Sequence, residues 1–119
     1  MRSDKNVYFM VQLTIHEGKD DAFRGIVDEM SVATAKEAGA LNYEWSLSED
    51  GRTCHLLERY VDSDGVRAHL ENIGVFIDRF LATVDIVGVE VFGDPDAAAR
   101  DALSQFGASF HRPYAGFVR

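Results

Sequence analysis

The chain has 119 residues, a hydrophobic fraction of 46% and a formal net charge of −8, which corresponds to one acidic domain. This charge disfavours nucleic acids and anionic membrane surfaces as partners. Cys54 is the only cysteine, so no disulfide can close within the chain. No stretch resembles a membrane span or a signal peptide, and the sequence therefore predicts a cytoplasmic protein.

The amino-terminal part of the chain predicts a strand followed by a helix. Residues 7–15 (VYFMVQLTI) are rich in β-branched and aromatic side chains and alternate between two faces. After Lys19 the apolar period becomes helical. The helical stripe consists of Phe23, Val27, Met30 and Thr34. Gly39 is a candidate cap for the end of this helix.

A β-hairpin is predicted next. Residues 40–48 alternate again, with Tyr43 and Trp45 on one face and Asn42 on the other. The sequence Asp50-Gly51 is typical of a hairpin turn, because glycine tolerates positive φ. Residues 53–61 then return as the antiparallel partner.

A second helix and a last main strand complete the pattern. Asp62 is a candidate helix cap, and apolar residues recur at helical spacing from Val66 to Phe80, with Gly74 as a possible break. Residues 84–92 read as a strand in which Gly88 marks a bulge or a close backbone approach.

The element order is therefore β-α-β-β-α-β, which is the ferredoxin-like α+β pattern. It predicts a four-stranded antiparallel sheet over residues 1–93, with both helices on one face. Bulky apolar side chains occur in both registers of the strands. We therefore expect the open sheet face to be covered by a second copy, giving a homodimer.

Residues 94–119 have a different character and are predicted to form a C-terminal extension. Asp94 at the N-cap and Pro95 at the first helical position indicate a short helix that runs to about Gln105. The remaining residues carry four aromatic rings, so we expect them to pack on the same subunit or on its partner. The pattern leaves open whether they act as a lid, a plug or a dimer clasp.

The segment from Gly39 to Asn72 carries a family likeness. It combines a glycine before the second strand, a tyrosine in that strand, an acidic hairpin, Glu58-Arg59-Tyr60, an acidic cap and Ala68-His69-Leu70. In these features the chain resembles the antibiotic-biosynthesis monooxygenase (ABM) family over roughly residues 7–92. The resemblance implies a dimeric α/β barrel and, in its monooxygenases, oxidation without any cofactor.

The resemblance to anthrone oxidases in particular points to Asn42 and Trp45 as catalytic candidates. The phenolic substrate itself supplies the electrons for O₂, and amide and indole N–H groups suit the substrate anion. On an ideal strand Asn42 and Trp45 face opposite sides, so a shared pocket requires a bulge. The alternative is that Trp45 is core or interface and that Asn42 satisfies a turn.

His69 is the third catalytic candidate, because its place at the border of the apolar stripe directs it toward the sheet. The alternative is a core-edge histidine that is hydrogen-bonded to Glu58 or to a backbone carbonyl. Glu58 within an apolar strand is either a proton acceptor or a buried carboxylate with an Arg or His partner. The remaining candidates for substrate binding are Tyr43, Tyr60 and Phe76.

Cofactor motifs are lacking: there is no glycine-rich phosphate loop and no paired set of metal ligands, so neither a cofactor nor a catalytic metal is predicted.

The sequence and the family resemblance are compatible with three functions. The first is a cofactor-independent monooxygenase that oxidises a phenolic, quinol or polyketide-like aromatic substrate. The second is a non-catalytic or small-ligand-binding dimer. The third is a non-oxidative isomerase or cyclase that uses His69 as its base.

Overall fold

The computed structural model describes residues 4–119. Its elements are β1 (Val7–Ile15), α1 (Asp20–Ala35), β2 (Ala40–Leu47), β3 (Thr53–Tyr60), α2 (Ser63–Ile73), a 3₁₀ turn (Gly74–Phe76), α3 (Ile77–Leu81), β4 (Val84–Phe92), α4 (Ala97–Ser104) and β5 (Ser109–His111). The predicted α+β fold and its β-α-β-β-α-β order are confirmed, as is the break of the second helix at Gly74.

The strands form one sheet with the order β2-β3-β1-β4-β5. The first four strands pair antiparallel, as predicted, whereas β5 pairs parallel to β4 through Glu90↔Ser109 and Phe92↔His111. The fifth strand was not predicted, because three residues with one apolar side chain carry no measurable alternation. The sheet is consequently mixed, and the extension supplies its edge.

All the helices pack on one face of the sheet and bury two apolar clusters. One cluster joins α1 and α3 to the strand ends that hold Leu13 and Val84. The other joins α2 and α4 to the opposite ends, at Val7 and Val91. The half-buried Val11, Leu70 and Ile86 contact both clusters. The space between the clusters holds the candidate site.

Gly39 does not cap the first helix, contrary to the prediction, because α1 ends at Ala35 with Lys36 at its cap. Instead, Gly39 allows a close backbone approach. A Cβ atom at this position would lie 3.0 Å from the Cα of Gly65 in the first turn of α2. The predicted Asp62 cap is present, and its carboxylate accepts a hydrogen bond from the Gly65 N–H at 2.9 Å. This contact sets where α2 starts against the sheet.

The uncovered sheet face is less apolar than the sequence pattern indicates. Leu57, Val87 and Phe92 are 41%, 56% and 40% exposed there. Glu44 and the other polar residues of the alternate register share this face, while Trp45 packs on the helix side. The pairing of β1 with β4 shifts register between Gln12 and Leu13, which leaves Val87 as the extra residue of a β-bulge. This bulge lies next to Gly88, where the sequence predicted a bulge.

The helix of the extension begins two residues later than predicted, because Asp96 rather than Asp94 caps α4 and accepts from the Ala99 N–H at 2.9 Å. Its first part is packed, with Leu103 only 2% exposed, whereas Tyr114 near the end is 95% exposed. Within residues 4–119, none of the helices has the length and apolar character needed to cross a membrane.

Candidate functional site

A small cavity of about 70 Å³ lies between the helices and the sheet, where the two apolar clusters meet. Its wall is almost entirely apolar and includes Leu81, which is 41% exposed. Glu58, His69, Tyr43 and Trp45 are the wall residues that carry polar atoms. An apolar cavity with a few convergent polar groups is the usual form of a small-molecule site.

Glu58 and His69 form the polar centre of this wall and are 5% and 2% exposed. Alternation along β3 places Glu58 on the helix face, and α2 directs His69 toward it. The His69 Nε2 atom lies 3.2 Å from Glu58 Oε1. The same carboxylate oxygen accepts a hydrogen bond from the Tyr60 hydroxyl at 2.6 Å. Both contacts use Oε1, and no hydrogen bond within residues 4–119 engages Oε2.

Glu37 contacts the other side of the imidazole. This residue follows α1, and its Oε2 lies 3.0 Å from His69 Nδ1. The Asn72 side-chain amide donates to the same oxygen at 2.8 Å. His69 therefore lies between two carboxylates that come from different parts of the chain.

The two carboxylates determine the charge of His69. Burial alone lowers the pKa of His69, but the hydrogen bonds and charges of Glu58 and Glu37 outweigh it, so the net pKa lies above the usual value. The raised pKa favours the protonated ring, and each ring nitrogen lies within 3.2 Å of a carboxylate oxygen. With two carboxylates against one imidazole, the cavity is unfavourable for anionic ligands.

Three buried polar atoms near this cluster have no hydrogen-bond partner within residues 4–119: the Trp45 indole N–H and the hydroxyls of Tyr43 and Thr34. The Thr34 hydroxyl lies near the Tyr43 hydroxyl and acts to lower the Tyr43 pKa, but the geometry between the two is not that of a hydrogen bond. Burial and the charge of Glu58 raise the pKa of Tyr43, so its hydroxyl remains a donor. Buried donors without partners are costly, and a ligand oxygen would satisfy them.

The predicted residues divide into two groups. Trp45, His69, Tyr43 and Glu58 line the cavity, and Tyr60 touches it through its hydrogen bond to Glu58. Asn42 does not join them, because its side chain donates to the Leu57 carbonyl at 3.2 Å on the opposite face of β2. Phe76 lies in the 3₁₀ turn and lines a separate groove beside Val32 of α1.

Two contributions to the site were not predicted. Glu37 lies in a connection without periodicity, so no pattern links it to a histidine 32 residues later. Phe106, together with Leu103, belongs to the extension and lines the cavity from α4. Within the part of the chain that the structure describes, no group of three His, Cys, Asp or Glu residues is arranged to hold a metal ion.

Comparison with known proteins supports this fold assignment. The model of the family described as "Antibiotic biosynthesis monooxygenase" matches residues 6–85, which is about two thirds of the chain. The chain belongs to this family. The family match ends before the extension begins, and no curated protein matches the sequence.

Solved structures extend the comparison. MupZ from Pseudomonas fluorescens superimposes with a TM-score of 0.84 at 27% identity, over 98% of this chain and 96% of MupZ. SnoaB, a cofactor-independent oxygenase from Streptomyces nogalater, gives 0.67 at 17% identity, over 80% of this chain and 97% of SnoaB. Rv0793 from Mycobacterium tuberculosis gives 0.68 at 22% identity, over 78% of this chain and 98% of Rv0793. SnoaB and Rv0793 share the fold, and MupZ also matches the extension.

Proposed function

We propose that this protein is a cofactor-independent monooxygenase that oxidises a neutral phenolic, quinol or polyketide-like aromatic substrate with O₂. One observation carries the proposal. The unpartnered N–H of Trp45 and O–H of Tyr43 lie in the same cavity wall as the buried Glu58–His69 pair. The residues that line this apolar space thus supply a carboxylate and two hydrogen-bond donors, which deprotonation of an acidic aromatic compound requires.

Glu58 is the proton acceptor in this proposal. Both ring nitrogens of His69 lie against carboxylate oxygens, at 3.0 Å from Glu37 and 3.2 Å from Glu58, so neither nitrogen faces the cavity as a base. Glu58 uses only Oε1 for Tyr60 and His69, which leaves Oε2 for a substrate hydroxyl or an acidic ring carbon. His69 is then a positioning residue that fixes the carboxylate and compensates its charge.

Trp45 and Tyr43 stabilise the substrate anion. The ring centroids of these residues are 5.5 Å apart, and that of Tyr43 is 5.4 Å from that of His69. The two donors therefore belong to one small region of β2. In a water-excluded cavity, each such donor is worth several kcal/mol, roughly 3 in measured oxyanion holes.

The anion reacts directly with O₂. The ring carbon forms a bond to one oxygen atom, and the proton held by Glu58 returns to the resulting peroxide. The same ring carbon then loses its remaining hydrogen as a proton while the O–O bond breaks, so the carbon becomes a carbonyl and the second oxygen atom leaves with both protons as water. The substrate supplies all four electrons that O₂ accepts.

A substrate needs more space than the cavity now offers. A cavity that binds benzene measures about 150 Å³, whereas this one measures about 70 Å³. The wall formed by Ile77, Phe80 and Leu81 belongs to a five-residue helix that follows a 3₁₀ turn. A helix this short is marginally stable by itself, and we propose that this wall moves outward when substrate binds.

The test is oxygen consumption with anthrone and with 1,4-naphthalenediol in metal-free buffer containing a chelator. We expect wild-type protein to accelerate uptake, and Trp45→Phe and Glu58→Gln to lower the rate by roughly 100-fold each. Tyr114→Phe, a change at an exposed ring, serves as the matched control. Uptake that is absent, or that requires a metal ion, would contradict the proposal.

A second candidate is a non-catalytic or small-ligand-binding protein, and the small volume of the cavity favours it. Phe106 and Phe80 fill space that a substrate would need. This candidate predicts that neither compound is turned over with O₂ or without it. Turnover under nitrogen would instead indicate non-oxidative acid–base chemistry at Glu58.

We also propose that two copies pair through the open sheet face. Leu57, Val87 and Phe92 provide the exposed apolar side chains for this contact, and pairing would remove them from water. Sedimentation velocity at micromolar concentration should give a dimer, and Val87→Lys should give a monomer. A monomeric wild-type protein would contradict this part of the proposal.

A further inference from the structure

The extension contributes directly to the cavity. Leu103 lies on the inner side of α4 and is 2% exposed, and Phe106 follows two residues after the helix ends. Both belong to the apolar cluster that α2 and α4 bury, and both line the cavity. They stand beside Val89 of β4, whereas the exposed Leu81 belongs to α3, which packs in the other cluster. The extension thus forms one end of the cavity.

The extension is fastened at several points. The Arg67 guanidinium of α2 lies 2.7 Å from both carboxylate oxygens of Asp96, at the start of α4. The Asp96 N–H donates to the Ser63 hydroxyl at 2.9 Å. Farther along, β5 adds to the sheet edge, and the Arg100 guanidinium lies 4.0 Å from the centre of the Phe110 ring. These contacts hold the extension in place against α2 and the sheet edge.

Gly107 determines how the chain leaves α4 after Phe106. Its φ of +74° lies in the left-handed region, and its N–H donates to the Ser104 carbonyl at 3.1 Å. The Phe106 N–H donates to the Leu103 carbonyl at 3.0 Å. These two hydrogen bonds form a turn after the helix, which holds Phe106 with its ring in the cavity wall.

We infer that Phe106 is a specificity-determining residue that limits the size of the substrate by closing the end of the cavity that the extension forms. This inference rests on the proposed function in taking the cavity as the substrate site. The alignment with MupZ takes in this segment, whereas SnoaB and Rv0793 leave about a fifth of the chain unmatched. The two carboxylates of the Glu37–His69–Glu58 cluster add that the ligand is not anionic.

The test uses Trp45, the single tryptophan of the chain, as a reporter in the cavity wall. Nitrobenzene and 1-nitronaphthalene are neutral quenchers that differ by one fused ring and have no acidic proton. Titration of Trp45 fluorescence gives the affinity for each. Phe106→Ala should raise the affinity for 1-nitronaphthalene by roughly tenfold or more and that for nitrobenzene much less, as expected for one added pocket contact.

Phe110→Ala is the matched control, because it removes an aromatic ring from the same extension outside the cavity wall. It should leave the ratio of the two affinities unchanged. Phe106→Leu, a smaller change, keeps the test valid if the alanine variant does not fold. An unchanged ratio in both Phe106 variants, or the same change in Phe110→Ala, would overturn the inference.

Failure of this inference differs from failure of the proposed function, since neither probe can be deprotonated. A shifted affinity ratio without oxygen uptake leaves Phe106 as the size determinant of a binding protein. Oxygen uptake by the wild type with an unchanged affinity ratio in Phe106→Ala refutes only the role of Phe106.

Discussion

His69 and Glu37 form a buried contact of 3.0 Å that joins the middle of α2 to the connection after α1. The imidazole is 2% exposed, and on its other side it meets Glu58 at 3.2 Å. A histidine held by two acceptors has a fixed ring orientation and a stabilised positive charge. Glu37 does not line the cavity but affects it through His69, so its contribution can be measured as a change in the pKa of His69.

Replacing Glu37 by Gln should lower the pKa of His69, because one of the two carboxylates that raise it is removed. The pKa is measured by following the imidazole proton signals of His69 in an NMR titration. Glu71→Gln on the exposed side of the same helix is the control and should leave that pKa unchanged. An unaltered titration in Glu37→Gln would mean that the contact is absent in solution.

The sequence predicts the contact with Glu58 but not the one with Glu37. His69 lies three residues after Val66 on a periodic helix, and Glu58 interrupts an apolar strand, so both face the same layer. Glu37 belongs to a connection that has no periodic pattern to orient it. The same reason applies to Phe106, whose place depends on a turn at Gly107 and on tertiary contacts of the extension.

The prediction for Asn42 illustrates the limit of family likeness. The residue type matches, but strand alternation puts its amide on the face opposite Trp45. The register shift between Ala40 and Asn42 lies before the pair, so it does not change their relative orientation. Side-chain alternation along β2 decides which residues share the cavity with Trp45, and here that residue is Tyr43 and not Asn42.

The stability of the protein should depend on pH through His69. Its folded-state pKa is raised, so protons bind more tightly to the native protein than to the unfolded chain. The stabilisation is complete below the unfolded pKa of about 6.5 and decreases as the pH rises through the folded value. Urea unfolding of wild type and His69→Gln across this range should show their difference in unfolding free energy shrinking toward high pH. A constant difference would contradict the raised pKa.

Tyr60→Phe should destabilise the protein. The Tyr60 hydroxyl donates to Glu58 at 2.6 Å, and both residues are buried. Losing a hydrogen bond to a charged group costs about 1.5–3 kcal/mol, which urea unfolding detects readily. Tyr114→Phe removes a hydroxyl from a 95% exposed ring and should change the free energy of unfolding very little. Equal effects in the two variants would show that the contact with Glu58 contributes nothing.

Gly39→Ala and Gly25→Ala should have opposite effects on stability. A Cβ at Gly39 would lie 3.0 Å from the Cα of Gly65, and a backbone atom cannot move aside without shifting α2. Overpacking of this kind typically costs about 1–3 kcal/mol. Gly25 lies within α1, where a Cβ would meet nothing within 4 Å, so alanine should add about 0.5–1 kcal/mol.

Urea unfolding gives both free energies, and the NMR titration of His69 gives a second readout for Gly39→Ala. Because His69 lies one turn beyond Gly65 on α2, a displaced helix should also weaken its contacts with Glu58 and Glu37 and lower its pKa. Gly25→Ala leaves α2 in place and should not alter that titration. If Gly39→Ala is as stable as wild type and titrates identically, the close approach to Gly65 does not set the position of α2.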